Sequence, residues 1–427
     1  MGKLTINNLG PLKECIVEER KFSVLTGAQA SGKSTVAKAF FFFRTVKDGI
    51  LDLIVHRSTI SDGGMSLYKA VGNSLRSRFL QVFGTSRALD PNLYLRYDYS
   101  ESTFISIRLT NLKNQHYYSP NYVWVEFSED IKSFFHEHNF IDNFDASVKD
   151  SLSHKLAVLF CDKYETLFIP AGRSLITLLT AQLNYIFTAM SEDQKRSMDY
   201  CTQKYVELIL KIRPSFSDGI EGFLESKLET AISPVNESVC RKAMGIIDRV
   251  LKGKYAFANG EEQLRIDDSG KYVKINFTSS GQQEAVWLFN ILMYQLITGR
   301  KTFLIVEEPE AHLYPDAQKA ITELLALFAN AGNSVLITTH SPYILGAVNN
   351  LLYADKVSAE RGEKKVVSIV PRSIMLDDCE AFFAEGGRIR GCMGPDRLIE
   401  NEVIDGASKD INNVYGRLAE IYWGEEG

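Results

Sequence analysis

The sequence predicts an α/β protein with a mixed, mainly parallel sheet, an antiparallel β subdomain and an inserted helical lobe. Three observations predict it. A Gly-containing loop lies between an apolar strand and a helix within residues 22–43, and the last third alternates apolar strands with helices. Between them, a tract from about 91 to 128 is rich in Tyr, Val, Ile, Thr and Phe.

The opening stretch reads as a hairpin, because Leu4-Thr5-Ile6 and Cys15-Ile16-Val17 flank the turn signal Asn8-Leu9-Gly10-Pro11. Phe22–Thr26 is an apolar strand that runs into the loop, and Ser34–Phe43 is the helix after it. Within the aromatic-rich tract, Phe104-Ile105-Ser106-Ile107-Arg108-Leu109 partly alternates, which predicts antiparallel strands with one wetted face. Leu167-Phe168-Ile169 is a strand stopped by Pro170. From Leu178 to about Leu251 charged residues interleave with apolar ones, with breaks near Pro214 and Pro234, so this stretch is the helical lobe. The last third reads as strand Tyr272–Phe277, helix Gln282–Leu296, strand Phe303–Val306, helix Asp316–Ala329, strand Ser334–Thr338 and a helix from about Pro342. Continuous apolar strands alternating with helices belong to a parallel sheet covered on both faces. With no repeat or Pro-rich linker to divide it, the chain splits into an N-terminal part (1–176), a helical insertion (177–255) and a C-terminal part (256–427).

Composition narrows the class. A chain of 427 residues with 45% apolar content buries a large core, and a net charge of −5 offers no general attraction to nucleic acid or anionic membranes. Any nucleic-acid contact would need a local basic patch. The six cysteines, at 15, 161, 201, 240, 379 and 392, have no metal-ligand spacing and fit a reducing cytosol, so a cytoplasmic location is expected. No signal peptide is visible, and the apolar runs Ala39–Phe43 and Phe303–Val306 are far shorter than the roughly 18 residues of a membrane span. No membrane association is expected.

Gly27-Ala28-Gln29-Ala30-Ser31-Gly32-Lys33-Ser34 fits GxxxxGK[ST], the loop in which backbone N–H groups at a helix N-terminus cradle phosphate oxygens. Gly27 and Gly32 permit the turn, Lys33 would meet the β- and γ-phosphates, and the Ser34 hydroxyl would coordinate magnesium. Phe303–Val306 delivers Glu307-Glu308-Pro309-Glu310 to a strand's carboxyl end, where ligands sit in open α/β sheets. There Glu307 would bind magnesium and Glu308 would polarise the attacking water. On their own, two acids after a strand read as a solvated loop. Ser334–Thr338 is followed by Thr339-His340-Ser341-Pro342, which would bring His340 within reach of the γ-phosphate. Thr278-Ser279-Ser280-Gly281-Gln282-Gln283-Glu284 opens an apolar-faced helix and has two readings: an N-cap, at Ser280, or a helix N-terminus that receives a second anion. Arg173 fits a nucleotide-facing or subunit-boundary cation, and equally a surface salt bridge. His136 and His138, with no third ligand nearby, read as a solvated helix end.

With these four elements in order, the chain resembles ABC-type P-loop ATPase heads of the RecF/SMC/OLD-like branch. The resemblance rests on Asn8-Leu9-Gly10-Pro11, Gly27–Thr35, Ile169-Pro170-Ala171-Gly172-Arg173-Ser174 and Glu307-Glu308-Pro309-Glu310-Ala311-His312-Leu313-Tyr314-Pro315, and runs from the first strand to the C-terminal tail. It is similar in particular to the stand-alone ATPase subunits of bacterial anti-phage systems, such as PtuA of Septu and AriA of PARIS. The resemblance implies ATP and Mg2+ as cofactors, Gly27, Ala28, Gln29, Ala30, Ser31, Gly32, Lys33, Ser34 and Thr35 as the nucleotide site, and Ser34 and Glu307 as the metal ligands. It implies Glu308 and His340 as the catalytic pair and Ala311–Tyr314 as the D-loop. Ser279, Ser280, Gly281, Gln282 and Gln283 would be a signature acting in trans, so a homodimer or higher even-numbered oligomer is expected. Two departures stand out: Glu307 occupies a position usually held by Asp, and no Q-loop glutamine is identifiable.

The insertion is too short and irregular for long heptad arms. The segment after His340 has no obvious second acidic metal cluster, so the chain is not expected to cut nucleic acid itself. The expected function is an ATP-hydrolysing sensor and scaffold for a separate effector, a nuclease or toxin; the alternative is a RecF-like DNA-binding repair ATPase, and a transporter subunit is disfavoured.

Overall fold

In a computed structural model, residues 2–59, 65–114, 117–139, 145–191, 198–230, 235–266 and 270–400 are described, with 194, 403, 404 and 414 besides. The strands are β1 (Lys3–Leu9), β2 (Leu12–Glu18), β3 (Phe22–Gly27), β4 (Tyr94–Asp98), β5 (Phe104–Asn114), β6 (Tyr117–Phe127) and β7 (Glu165–Ile169), followed by β8 (Lys254–Ala258), β9 (Glu261–Arg265), β10 (Tyr272–Lys274), β11 (Thr302–Glu307), β12 (Ser334–Thr339), β13 (Cys379–Glu385) and β14 (Arg388–Gly391). The helices are α1 (Lys33–Arg44), α2 (Val46–Thr59), α3 (Leu67–Phe83), α4 (Glu129–Glu137), α5 (Ala146–Leu159), α6 (Arg173–Ala189) and α7 (Tyr200–Ile212), then α8 (Gly219–Thr230), α9 (Glu237–Leu251), α10 (Ser280–Thr298), α11 (Pro315–Asn330), α12 (Pro342–Arg361) and the short α13 (Glu363–Val366).

Among the described residues, the main sheet has the order β6-β5-β4-β1-β2-β14-β13-β3-β12-β11-β7. Neighbours from β13 to β7 are parallel, whereas β2, β1, β4, β5 and β6 form an antiparallel wing. The fold is thus the α/β mixed sheet with antiparallel and helical additions that the sequence predicts. Side chains alternate along its parallel strands between two cores. Val24, Leu304, Val306, Val335 and Ile337 face α9 to α12, while Leu25, Phe303, Ile305 and Leu336 face α1, α2 and the wing. Both faces are dry, which is why these strands read as unbroken apolar runs.

On the α1 side the packing is aromatic. Phe40 is shielded from solvent and lies 6.0 Å from the Tyr97 ring and 6.4 Å from Phe303. Phe40→Ala is expected to cost about 3–5 kcal/mol, measured as a lowered urea midpoint at unchanged slope.

Two expectations are corrected. Tyr272–Phe277 is not a strand of the parallel sheet: β10 stops at Lys274, Ile275–Phe277 is a 3-10 turn, and β10 pairs with β9 in a separate sheet of order β10-β9-β8. The helical stretch begins at Arg173, not Leu178, because the Glu284 carboxylate from α10 accepts the backbone N–H groups of Arg173 and Ser174, each at 3.0 Å, and so caps α6 from outside. The tail supplies β13 and β14, which join the parallel half to the wing. The break expected at Pro214 is the 3-10 turn Arg213–Phe216; Pro234 lies outside the described residues.

Candidate nucleotide-binding site

β3 carries the chain to Gly27 and α1 leaves at Lys33, so the intervening loop sits at the carboxyl end of the parallel strands. Its course needs left-handed backbone at Gly27 (φ 135°), Ala30 (φ 59°) and Gly32 (φ 103°). At Gly27 a Cβ would lie 2.4 Å from the Ala384 carbonyl oxygen, and at Gly32 it would lie 2.5 Å from the Leu12 side chain. Gly27 therefore has no room for a side chain, and at Gly32 the left-handed backbone strains any other residue and Leu12 would have to shift. No side chain caps α1, which leaves its first N–H groups to an outside anion.

Lys33 is nearly buried and folds back over the loop, its Nζ donating to Gly27 O at 2.9 Å and Ala28 O at 2.8 Å. Burial lowers the Lys33 pKa, opposed by the negative charges of Glu308 and Glu310. The His340 Nδ1 lies 3.5 Å from Lys33 Nζ, and the His340 Nε2 lies 3.5 Å from Glu308 Oε1. Lys33, His340 and Glu308 thus form one line across three neighbouring strand ends.

Glu307 ends β11 inside the site, about 5% exposed. Burial pushes its carboxyl above the usual range, against the Ser34 hydroxyl, the Ala171 N–H and the charge of Lys38. Ala171 N donates to its Oε2 at 3.3 Å, whereas its Oε1 is buried with no hydrogen-bond partner. An orphaned carboxylate oxygen beside the P-loop hydroxyl is the donor set of a magnesium ion. The residues present therefore fit Mg2+: Ser34 and Glu307 would hold it, and bound there it would neutralise phosphate charge.

Glu308 adopts φ 44°, a left-handed conformation uncommon for a residue with a side chain, and its N–H is tied to Thr338 O at 2.9 Å. Its carboxylate stands beside His340, Oε1 3.5 Å from Nε2. Glu310, to which the sequence alone assigns no role, accepts from Thr339 Oγ1 at 2.7 Å and from the His340 N–H at 2.8 Å. It fixes the backbone on which His340 rides, and its other oxygen is buried and unpartnered. The third acid of Glu307-Glu308-Pro309-Glu310 was the available signal.

The helix N-terminus at Ser279–Gln283 is set apart from this line. Ser279, not Ser280, is the N-cap, and it forms a capping box with Gln282. The Gln282 amide donates to Leu251 O at 2.7 Å and the Gln283 amide to Thr278 O at 3.0 Å, so both glutamines hold the turn rather than reach the phosphate loop. Ser280 is exposed, and Gly281 is pressed against the segment after β11, where a Cβ would lie 2.8 Å from the His312 carbonyl oxygen. Gly281→Ala is expected to cost about 1–3 kcal/mol, read as a lower thermal midpoint.

Arg173 is neither nucleotide-facing nor a surface salt bridge. It is inaccessible to solvent, pairs with Glu284 at 3.3 Å and donates to the carbonyls of Pro170, Glu284, Glu307 and Glu308. A charge with this many internal acceptors is held in the core by them. His138 follows the end of α4, with its Nδ1 2.9 Å from Phe134 O.

A parallel sheet with a phosphate loop at its carboxyl edge and acids on the next strand but one defines a P-loop ATPase. A family model described as "AAA ATPase domain" matches residues 1–345, and the chain belongs to that family. Every residue of the site lies inside the matched span. Protein ea59 of Escherichia phage lambda is 34% identical over 98 residues, a stretch that spans 21% of this chain and 18% of that protein. Among solved structures, the chain is similar to the Smc head domain with an extended coiled coil bound to the C-terminal domain of ScpA from Pyrococcus furiosus, at a TM-score of 0.40, 13% identity, and coverage of 97% of this chain and 100% of that one. It is also similar to the SMC head domain from Thermotoga maritima, at a TM-score of 0.36, 11% identity, and coverage of 91% and 97%. Among the described residues, no helix is long and apolar enough to cross a membrane.

Proposed function

We propose that this chain binds ATP with Mg2+ along Gly27–Thr35 and hydrolyses it. In this reading its ABC-type cycle serves as a sensor and scaffold for a separate effector protein, a nuclease or toxin, in anti-phage defence. The observation that carries the hydrolytic part is the meeting of Ser34, Glu307, Glu308 and His340 around Lys33. ATP entry exchanges the carbonyl partners of Lys33 for phosphate oxygens. Glu308 accepts a proton from a water as its oxygen attacks the γ-phosphorus and the bond to the β,γ-bridging oxygen breaks, leaving ADP and phosphate. His340, held by Glu310, donates to the γ-phosphate oxygens. Ser279–Gln283 close on the nucleotide of a second copy, with Ser280 and Gly281 at the contact, so the working unit is an even-numbered oligomer. The segment 177–255 is the lobe that the effector reads.

The defence setting rests on the likeness of Gly27–Thr35, Ile169–Ser174 and Glu307–Pro315 to the PtuA and AriA subunits. Co-expression with the product of the adjacent gene tests it: an ATP-dependent complex is expected, and a complex indifferent to nucleotide contradicts a sensor. ATP turnover stimulated by DNA, with a steep salt dependence, would instead favour the repair ATPase.

A further inference from the structure

We propose that Arg173 and Glu284 form a buried relay that carries closure of the signature turn to the catalytic carboxylates of the same chain. The inference rests on the reading of Ser279–Gln283 as a surface that closes on a second copy's nucleotide.

The relay is continuous. Glu284 lies in the first turns of α10, four residues after Ser280, and is about 1% exposed. Its carboxylate holds the N–H groups of Arg173 and Ser174, pairs with the Arg173 guanidinium at 3.3 Å and stands 3.6 Å from His312 Nδ1. The guanidinium in turn donates from Nη1 to Glu307 O at 2.7 Å and from Nη2 to Glu308 O at 3.0 Å. The peptide plane leading out of Glu308 is therefore gripped by Arg173, while the Glu308 N–H is gripped by Thr338 O. Because the backbone of Glu308 is already twisted to φ 44°, a small movement of either grip re-aims its carboxylate. Gly281 adds a second link, seated on the His312 carbonyl with no room for a Cβ.

A planar guanidinium with five donors spans these carbonyls together; an ammonium reaches fewer of them and fixes none in direction. A rigid, close-packed interior passes displacement along such a chain rather than absorbing it. When the signature turn is drawn onto a partner's nucleotide, Glu284 moves with α10, Arg173 follows Glu284, and Glu307 and Glu308 are re-aimed at the chain's own nucleotide. The two sites of a dimer are thereby coupled through the protein, the task for which no Q-loop residue is identifiable. Arg173 is a positioning residue in this scheme, since its guanidinium is closed off from solvent and directed at the carbonyls of Pro170, Glu284, Glu307 and Glu308.

The test is a double-mutant analysis of kcat in the full chain with Ser280→Ala and Arg173→Lys, repeated with Glu284→Gln in case Arg173→Lys does not fold. ATP affinity is followed in parallel by a fluorescent ATP analogue. Each single variant is expected to lower kcat roughly tenfold with analogue affinity within about twofold of wild type, and the double variant to be no slower than the slower single. Single effects that multiply in the double variant overturn the relay, as does a loss that falls on affinity instead of kcat. An unchanged kcat in Ser280→Ala overturns the signature reading itself, a different failure that leaves the relay without an input.

Discussion

Glu308→Gln is expected to hold ATP with wild-type affinity and to hydrolyse it at least about 100-fold more slowly. The substitution keeps the volume and the left-handed backbone of Glu308, whose N–H bond to Thr338 O does not involve the side chain. What it removes, under the proposed mechanism, is the acceptor for the water proton, a carboxylate 3.5 Å from His340 Nε2. Binding survives because the phosphate cradle is made of backbone and Lys33, so the variant accumulates in the ATP state. Under the proposed function it also changes how long an effector stays attached. Single-turnover hydrolysis and retention of labelled ATP after gel filtration measure both halves. Turnover at the wild-type rate would remove Glu308 from the catalytic step.

Lys33→Ala is expected to weaken ATP binding by about 3 kcal/mol, roughly 100-fold in Kd, since the lost interaction is a charged hydrogen bond in a site shielded from water. The Lys33 ammonium is bonded to Gly27 O and Ala28 O, both part of the phosphate loop itself. Removing it therefore unties the loop as well as the charge, and the thermal midpoint without nucleotide should shift little compared with the loss of ATP-induced stabilisation. Calorimetric titration with ATP and Mg2+ decides the matter: an affinity within a few-fold of wild type would mean that Lys33 stays with its carbonyls when ATP is present.

Sequence alone was sufficient wherever the physics is local. The phosphate loop depends on two glycines and the strand and helix that flank it, all within residues 22–44, and Gly27 and Gly32 do take up left-handed backbone. Strands β3, β7, β11 and β12 followed from continuous apolar runs, and the strand character of β5 from partial period-two alternation. The start of α10 was nearly legible: the helix was expected from Gln282 with Ser280 as its N-cap, and it begins at Ser280 with Ser279 as the N-cap, in a capping box with Gln282.

Tertiary structure decided what depends on partners far along the chain. Arg173 looked like a surface or ligand-facing cation because most of its acceptors cannot be read from its neighbours; besides Pro170 they lie 111, 134 and 135 residues away, at Glu284, Glu307 and Glu308. Glu310 acquired its place only when β12 brought Thr339 and His340 beside it. No strand was expected beyond the helix from Pro342, yet β13 pairs with β3 along Cys379–Ala384, and the Ala384 carbonyl is the atom that forbids a side chain at Gly27. The backbone geometry of a phosphate loop is written in a few adjacent residues, whereas a buried charge is defined by whichever distant atoms the fold delivers to it.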